Sequence, residues 1–195
     1  MNNTNVYGFY KQYTTVRDVA WRTLIDFKIN TLPVQLSEIC SGLNITLLLD
    51  SQAHELRPTE SGLAVRQDGK WYIIFDDTDV HGKQRYTVAH ELGHILMGHA
   101  LKSGYYTRKE NIVKPSDEKE ADMFAARLLA PACVLWGINA VTPEQIATVC
   151  DISRTAALYR AERMDLLRKR GKFLTSPLEQ QVYKQFEDYI QQNSL

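Results

Sequence analysis

The chain has little that would tie it to an oxidising compartment or a membrane. It holds only three cysteines in 195 residues, Cys40, Cys133 and Cys150, odd in number and far apart. They fit neither a disulfide framework nor a paired-cysteine metal site, and they are expected to be buried small hydrophobes or inert thiols. A reducing cytoplasm is the expected setting. No apolar stretch approaches the roughly 18 residues of a membrane span. Met1 to Tyr13 is polar and aromatic, without a basic segment followed by an apolar one, so no signal peptide is expected. Excess charge is missing too. Lys and Arg total 23 against 23 Asp and Glu, which argues against strong general attraction to nucleic acid or membrane. There is no internal repeat and no low-complexity segment.

What is present is globular material, 44% hydrophobic and 24% charged, enough for a packed core. The length suits one domain, or one domain with a helical appendage. A first helix is expected from a Thr14 or Thr15 cap to near Ile29, with Val16, Val19, Ala20, Leu24 and Phe27 as its apolar stripe. Pro33 suits the first turn of a short helix from Val34 to Cys40. Asn44 to Leu49 reads as a strand. Gly62 to Arg66 and Lys70 to Phe75 read as a hairpin around Asp68-Gly69. A helix is expected from near Lys83 to Met97 or Gly98, with Val88, Ala89, Leu92, Ile95 and Leu96 facing the core. After a polar, basic loop over 101–115, Ser116 is expected to cap a helix that ends before Pro131. From Val141 onward only helices are expected: one opened by Thr142-Pro143-Glu144, one capped by Ser153, and one from Pro177 to Ile190.

The residues that carry chemistry lie on the Lys83–Met97 helix. His90-Glu91-Leu92-Gly93-His94 sets two imidazoles four residues apart, which places them on one helical face. Two neutral imidazoles so placed can bind one Zn²⁺. Glu91 lies about 100° around the helix from His90. There it stands beside the metal and can take a proton from a water that the metal polarises. Against this stands the bland alternative of a surface helix with two histidines, since the five-residue pattern arises by chance roughly once in a couple of hundred such chains.

A catalytic zinc needs a third protein ligand. His99 does not fit the histidine-rich extended pattern, because Met97 stands where Gly is required and Ala100 where His is required. His99 is expected to be a surface histidine or one that supports a ligand from behind. The other source is a second helix carrying Glu118-Lys119-Glu120-Ala121-Asp122. Glu118 and Asp122 share a face, so Glu118 can bind the metal while Asp122 accepts the free N–H of a ligand histidine. Glu120 is expected to point elsewhere. The plainer alternative is that all these acids only complement the helix dipole.

Two separated blocks resemble the ImmA/IrrE family of metallopeptidases. Lys83-Gln84-Arg85-Tyr86-Thr87-Val88-Ala89-His90-Glu91-Leu92-Gly93-His94 is similar to the family's active-site helix, and Glu118 to Pro131 is similar to its second segment. Tyr86 replaces a usual Phe, and Ala130 stands where Met is common. The resemblance spans about residues 30–165. It implies an α+β fold with a zincin-like core, a small twisted sheet beside the active-site helix. It implies His90, His94 and Glu118 as zinc ligands and Glu91 as catalytic carboxylate. It also implies a protein substrate, a helix-turn-helix repressor of a mobile element or stress regulon. The expected division is a metallopeptidase domain over 1–135 and a helical subdomain over 136–195.

A different class of function is a zinc-containing regulator that binds a repressor or DNA without proteolysis. Thr142 to Arg163 loosely suggests a helix-turn-helix. Arg160, Arg163, Arg168, Lys169, Arg170 and Lys172 cluster nearby, either to meet phosphates or as a solvated basic face. The oxyanion-stabilising group stays open among Tyr72, Tyr86, Tyr105, Tyr106 and His81. The loop 101–115 is long enough to act as a lid.

Overall fold

A computed structural model describes residues 16–99 and 115–194. Its elements in chain order are α1 (Val16–Asp26), α2 (Leu36–Gly42), β1 (Ile45–Leu49), α3 (Asp50–Ala53), β2 (Gly62–Gln67), β3 (Lys70–Phe75), α4 (His81–Met97), α5 (Pro115–Leu129), α6 (Ala132–Gly137), α7 (Pro143–Cys150), α8 (Arg154–Lys169), α9 (Pro177–Gln185) and α10 (Glu187–Gln192). The fold class is α+β. No helix among the described residues is long and apolar enough to cross a membrane. The described residues pack as two compact units, one of 16–19, 36–99 and 115–125, the other of 20–35 and 126–194.

The first unit is built on a three-stranded sheet of order β1-β3-β2. β3 lies in the middle, parallel to β1 and antiparallel to β2. Asp68 and Gly69 both take positive φ, at 50° and 78°, which is what a two-residue turn between twisted strands needs. The turn sets the register at Gln67 opposite Lys70 and Gly62 opposite Phe75. α4 lies across β2 and β3 and also meets α2. Its buried side, Val88, Ala89, Leu92, Ile95 and Leu96, is the expected one.

Both ends of α4 are held locally. Gln84 Nε2 donates to the carbonyls of Asp77 and Asp79, tying the preceding loop to the first turn. Gly98 ends the helix with φ 73°, its N–H reaching the carbonyls of His94 and Ile95.

The second unit is helical. Thr142 and Gln145 form a reciprocal capping box at the start of α7. Ser153 caps α8 through the Ala156 N–H. Between them Asp151 takes a left-handed conformation, so α7 and α8 are joined by a tight turn and pack on each other. Gln185 Nε2 donates to the carbonyls of Leu24 and Ile29. That bond sets the stretch after α1 with the C-terminal helices, a grouping that chain order does not suggest.

Several local expectations are corrected. Thr14 and Thr15 lie outside the described residues, as does the loop 101–114, and α1 stops at Asp26. Ser116 lies inside α5 and bonds to Asp117 Oδ1 at 3.3 Å instead of capping the helix. The short helix α6 was not expected. The final helix is broken at Phe186 into α9 and α10, where the backbone takes φ −94° and ψ 8°. All three cysteines are buried. Burial pushes the Cys40 and Cys133 thiols up to about 12.

Candidate metal centre

The site is assembled by α4 and residues 115–125 of α5, all in the first unit. Their approach depends on Gly93. A Cβ there would stand 2.9 Å from Phe124 Cδ1 and 3.3 Å from Ala121 Cα, so only a glycine lets the two helices come this close. On α5, Ala121, Phe124 and Ala125 are buried. Glu118 and Asp122, on the neighbouring stripe, reach the histidines at the rim.

The donor atoms converge. His90 Nε2 and His94 Nε2 are 3.0 Å apart. Glu118 Oε2 lies 3.2 Å from His90 Nε2, and its Oε1 lies 3.4 Å from His94 Nε2. Ligands at 2.0–2.1 Å around a tetrahedral zinc stand about 3.3–3.4 Å from one another. The separations here, 3.0, 3.2 and 3.4 Å with the two to Glu118 ending on different oxygens, are within a few tenths of an ångström of that, so one donor from each residue can reach such an ion.

Tautomers support the fit. His90 Nδ1 lies 3.0 Å from Asp122 Oδ1. A carboxylate only accepts, so Nδ1 carries the proton and Nε2 presents its lone pair inward. The same Oδ1 accepts from Tyr86 Oη at 2.7 Å, which pins Asp122 from its other side. Burial and the Asp122 carboxylate push the Tyr86 phenol up, and its hydroxyl is committed to Asp122. Burial first, then His90 and His99, pushes His94 down to about 3. His94 is therefore neutral, as a ligand must be.

Glu91 faces β2. Its carboxylate accepts the Ala64 backbone N–H, yet burial pushes its pKa up to about 7, with His90 and Ala64 acting in the opposite sense. A carboxyl poised near neutrality beside a metal-ligand cluster can both take and return a proton.

The profile of the IrrE N-terminal-like domain, peptidase M78, matches residues 43–162. This chain belongs to that family. The matched stretch holds the sheet, α4, α5, α6, α7 and half of α8. In fold the chain is similar to a Mycobacterium tuberculosis transcriptional regulator, at 14% identity and a TM-score of 0.53. That match covers 92% of this chain and 55% of the regulator, so the chain spans about half of that protein's length. No curated protein matches. The M78 family is metallopeptidase-like, and the His90, His94 and Glu118 group is a possible metal-binding set within it.

Two further residues of this M78 chain, Glu120 and His99, meet on the far side of His94. Glu120 points away from the Glu118 and Asp122 stripe, as expected, and its Oε2 lies 3.0 Å from His99 Nε2. Of the two readings of His99, the one that sets it behind another histidine holds and the surface one does not. It is buried, with Nδ1 3.1 Å from His94 Nδ1. The helical angle between Glu120 and Asp122 does place them on different faces, but each face meets its own histidine. Of the oxyanion candidates, Tyr105 and Tyr106 lie outside the described residues.

Proposed function

We propose that this chain is a zinc-dependent endopeptidase with a zincin-like core. The observation that carries this reading is the triangle of donor atoms from His90, His94 and Glu118, with Glu91 beside it. When bound, zinc would supply Lewis acidity, polarising the scissile carbonyl and bringing the pKa of a water toward about 7. His90, His94 and Glu118 hold the ion, and Asp122 orients His90. Glu91 takes the proton of the attacking water and passes it to the leaving amine. The proposed substrate is a DNA-binding repressor, and the proposed setting is cytoplasmic. The substrate class rests on the family resemblance alone.

The test is Glu91→Gln. The variant is expected to retain zinc and the melting behaviour of the parent while losing cleavage of a repressor encoded beside its gene. Undiminished cleavage by the variant refutes the role of Glu91.

One observation favours a second reading, a regulator that contacts DNA. α7 and α8 are joined by residues 151–153, and Arg163, Arg168, Arg170 and Lys172 are exposed at or beyond the second helix. Lys169 is paired with Asp165 at 2.6 Å. Arg160 is half-buried, with its Nε buried and without a hydrogen-bond partner, so it is less open to a phosphate than the others.

A further inference from the structure

We propose that His99 and Glu120 are positioning residues that hold His94 in the tautomer required for metal binding. The inference rests on the metal-site reading above and extends it to a hydrogen-bonded chain from Glu120 through His99 to His94.

The proton assignment follows from the acceptors. Glu120, as a carboxylate, only accepts, so His99 Nε2 must donate across the 3.0 Å contact. A neutral imidazole with its proton on Nε2 has a lone pair on Nδ1. The 3.1 Å contact between the two Nδ1 atoms then requires His94 to donate. With its proton on Nδ1, His94 turns the Nε2 lone pair toward His90 Nε2 and Glu118. Each ligand histidine thus has its own carboxylate behind it: Asp122 directly on His90, and Glu120 through an intervening imidazole on His94. The chain is sheltered. The His99 side chain is 2% exposed and that of His94 5%, so water does not compete for these bonds. Glu120 is half-exposed and closes the chain at the surface.

His99, Asp117 and Glu120 also lie close enough to hold a metal of their own. The tautomers make that use incompatible with the first site. A cation on His99 Nε2 would leave the His99 proton on Nδ1, pointing at His94 Nδ1. His94 would then have to carry its proton on Nε2 and leave the triangle with His90 and Glu118. These two groups therefore hold one ion between them, with His99 acting through His94.

The experiment measures zinc affinity by chelator competition in the full chain, together with ¹⁵N ring shifts of His94 in the metal-free protein. The parent is expected to bind one zinc and to carry the His94 proton on Nδ1. His99→Phe, which offers no acceptor, is expected to weaken zinc binding about 10–100-fold. His99→Asn can place an amide oxygen where Nδ1 stood and should recover most of that loss. Glu120→Ala, at a half-exposed position that does not endanger the fold, should weaken binding roughly fivefold as water replaces the carboxylate.

Parent-like affinity in both His99→Phe and Glu120→Ala overturns the proposal. So does a His94 proton on Nε2 in the metal-free parent, or a second zinc lost on replacing Glu120. A parent that binds no zinc defeats the metal-site reading itself, and the ring shifts still decide the relay.

Discussion

Gly93→Ala tests whether the approach of α4 and α5 sets the metal geometry. The added Cβ would lie 2.9 Å from Phe124 Cδ1, 3.3 Å from Phe124 Cβ and 3.3 Å from Ala121 Cα. Ordinary carbon contacts need about 3.5–4.0 Å, so the shortfall is a few tenths of an ångström against backbone and more against the ring. Phe124 is fully buried, and a close-packed interior leaves a ring little room to swing. Relief must come from separating the helices by about 0.5 Å. Such overpacking costs about 1–3 kcal/mol. Replacing a mid-helix glycine by alanine returns up to about 1 kcal/mol of helix propensity. A net loss of about 1 kcal/mol is expected in urea unfolding of the chelated protein.

The same displacement carries Glu118 and Asp122 away from His90 and His94. Metal sites tolerate about 0.2 Å in ligand distance, so zinc affinity should fall by about tenfold. A variant at least as stable as the parent and with parent-like zinc affinity would refute the claim that Gly93 sets the helix spacing.

Two further outcomes are expected. In metal-free protein, stability should be flat between about pH 4.5 and 6.5 and fall on both sides. The folded pKa of His94 is lowered from 6.5 to about 3, so its contribution is present above 6.5 and is lost as pH falls toward 3. The folded pKa of Glu91 is raised from 4.5 to about 7, so its contribution is present below 4.5 and is lost as pH rises through 7. The two cancel in the overlap, leaving about 2 kcal/mol to be lost between pH 4.5 and 3. Melting curves in chelator across pH 3–8 check this; Glu91→Gln should remove the alkaline fall and turn the plateau into a continued rise up to about pH 6.5, and an unchanged alkaline limb contradicts the assignment. For the DNA-contact reading, a salt-dependent mobility shift on duplex DNA should weaken when Arg163, Arg168, Arg170 and Lys172 are neutralised. No shift at low salt removes that reading.

Chain-local features were legible because they depend on neighbours in sequence. The hairpin follows from Asp68-Gly69, and the end of α4 from Gly98. The shared face of His90 and His94 follows from their spacing, and the start of α7 from Thr142-Pro143-Glu144. The pairing of Glu118 and Asp122 on one stripe is likewise a matter of helical period. Those parts of the site could be named before any fold was known.

What helical period cannot say is what stands opposite a face. Glu120 and His99 are 21 residues apart in sequence, and only the packing of α5 on α4 brings the carboxylate to the imidazole. His99 follows the end of α4, and only the fold buries it behind His94. Asp122 could have oriented either histidine by spacing alone; the crossing of the helices at Gly93 assigns it to His90. The break at Phe186 and the setting of residues 20–35 with the C-terminal helices were illegible for the same reason. By itself the sequence determined the family, the donor types and their helical faces. The tertiary structure decided which lone pairs point inward, because a tautomer is set by contacts made across the chain.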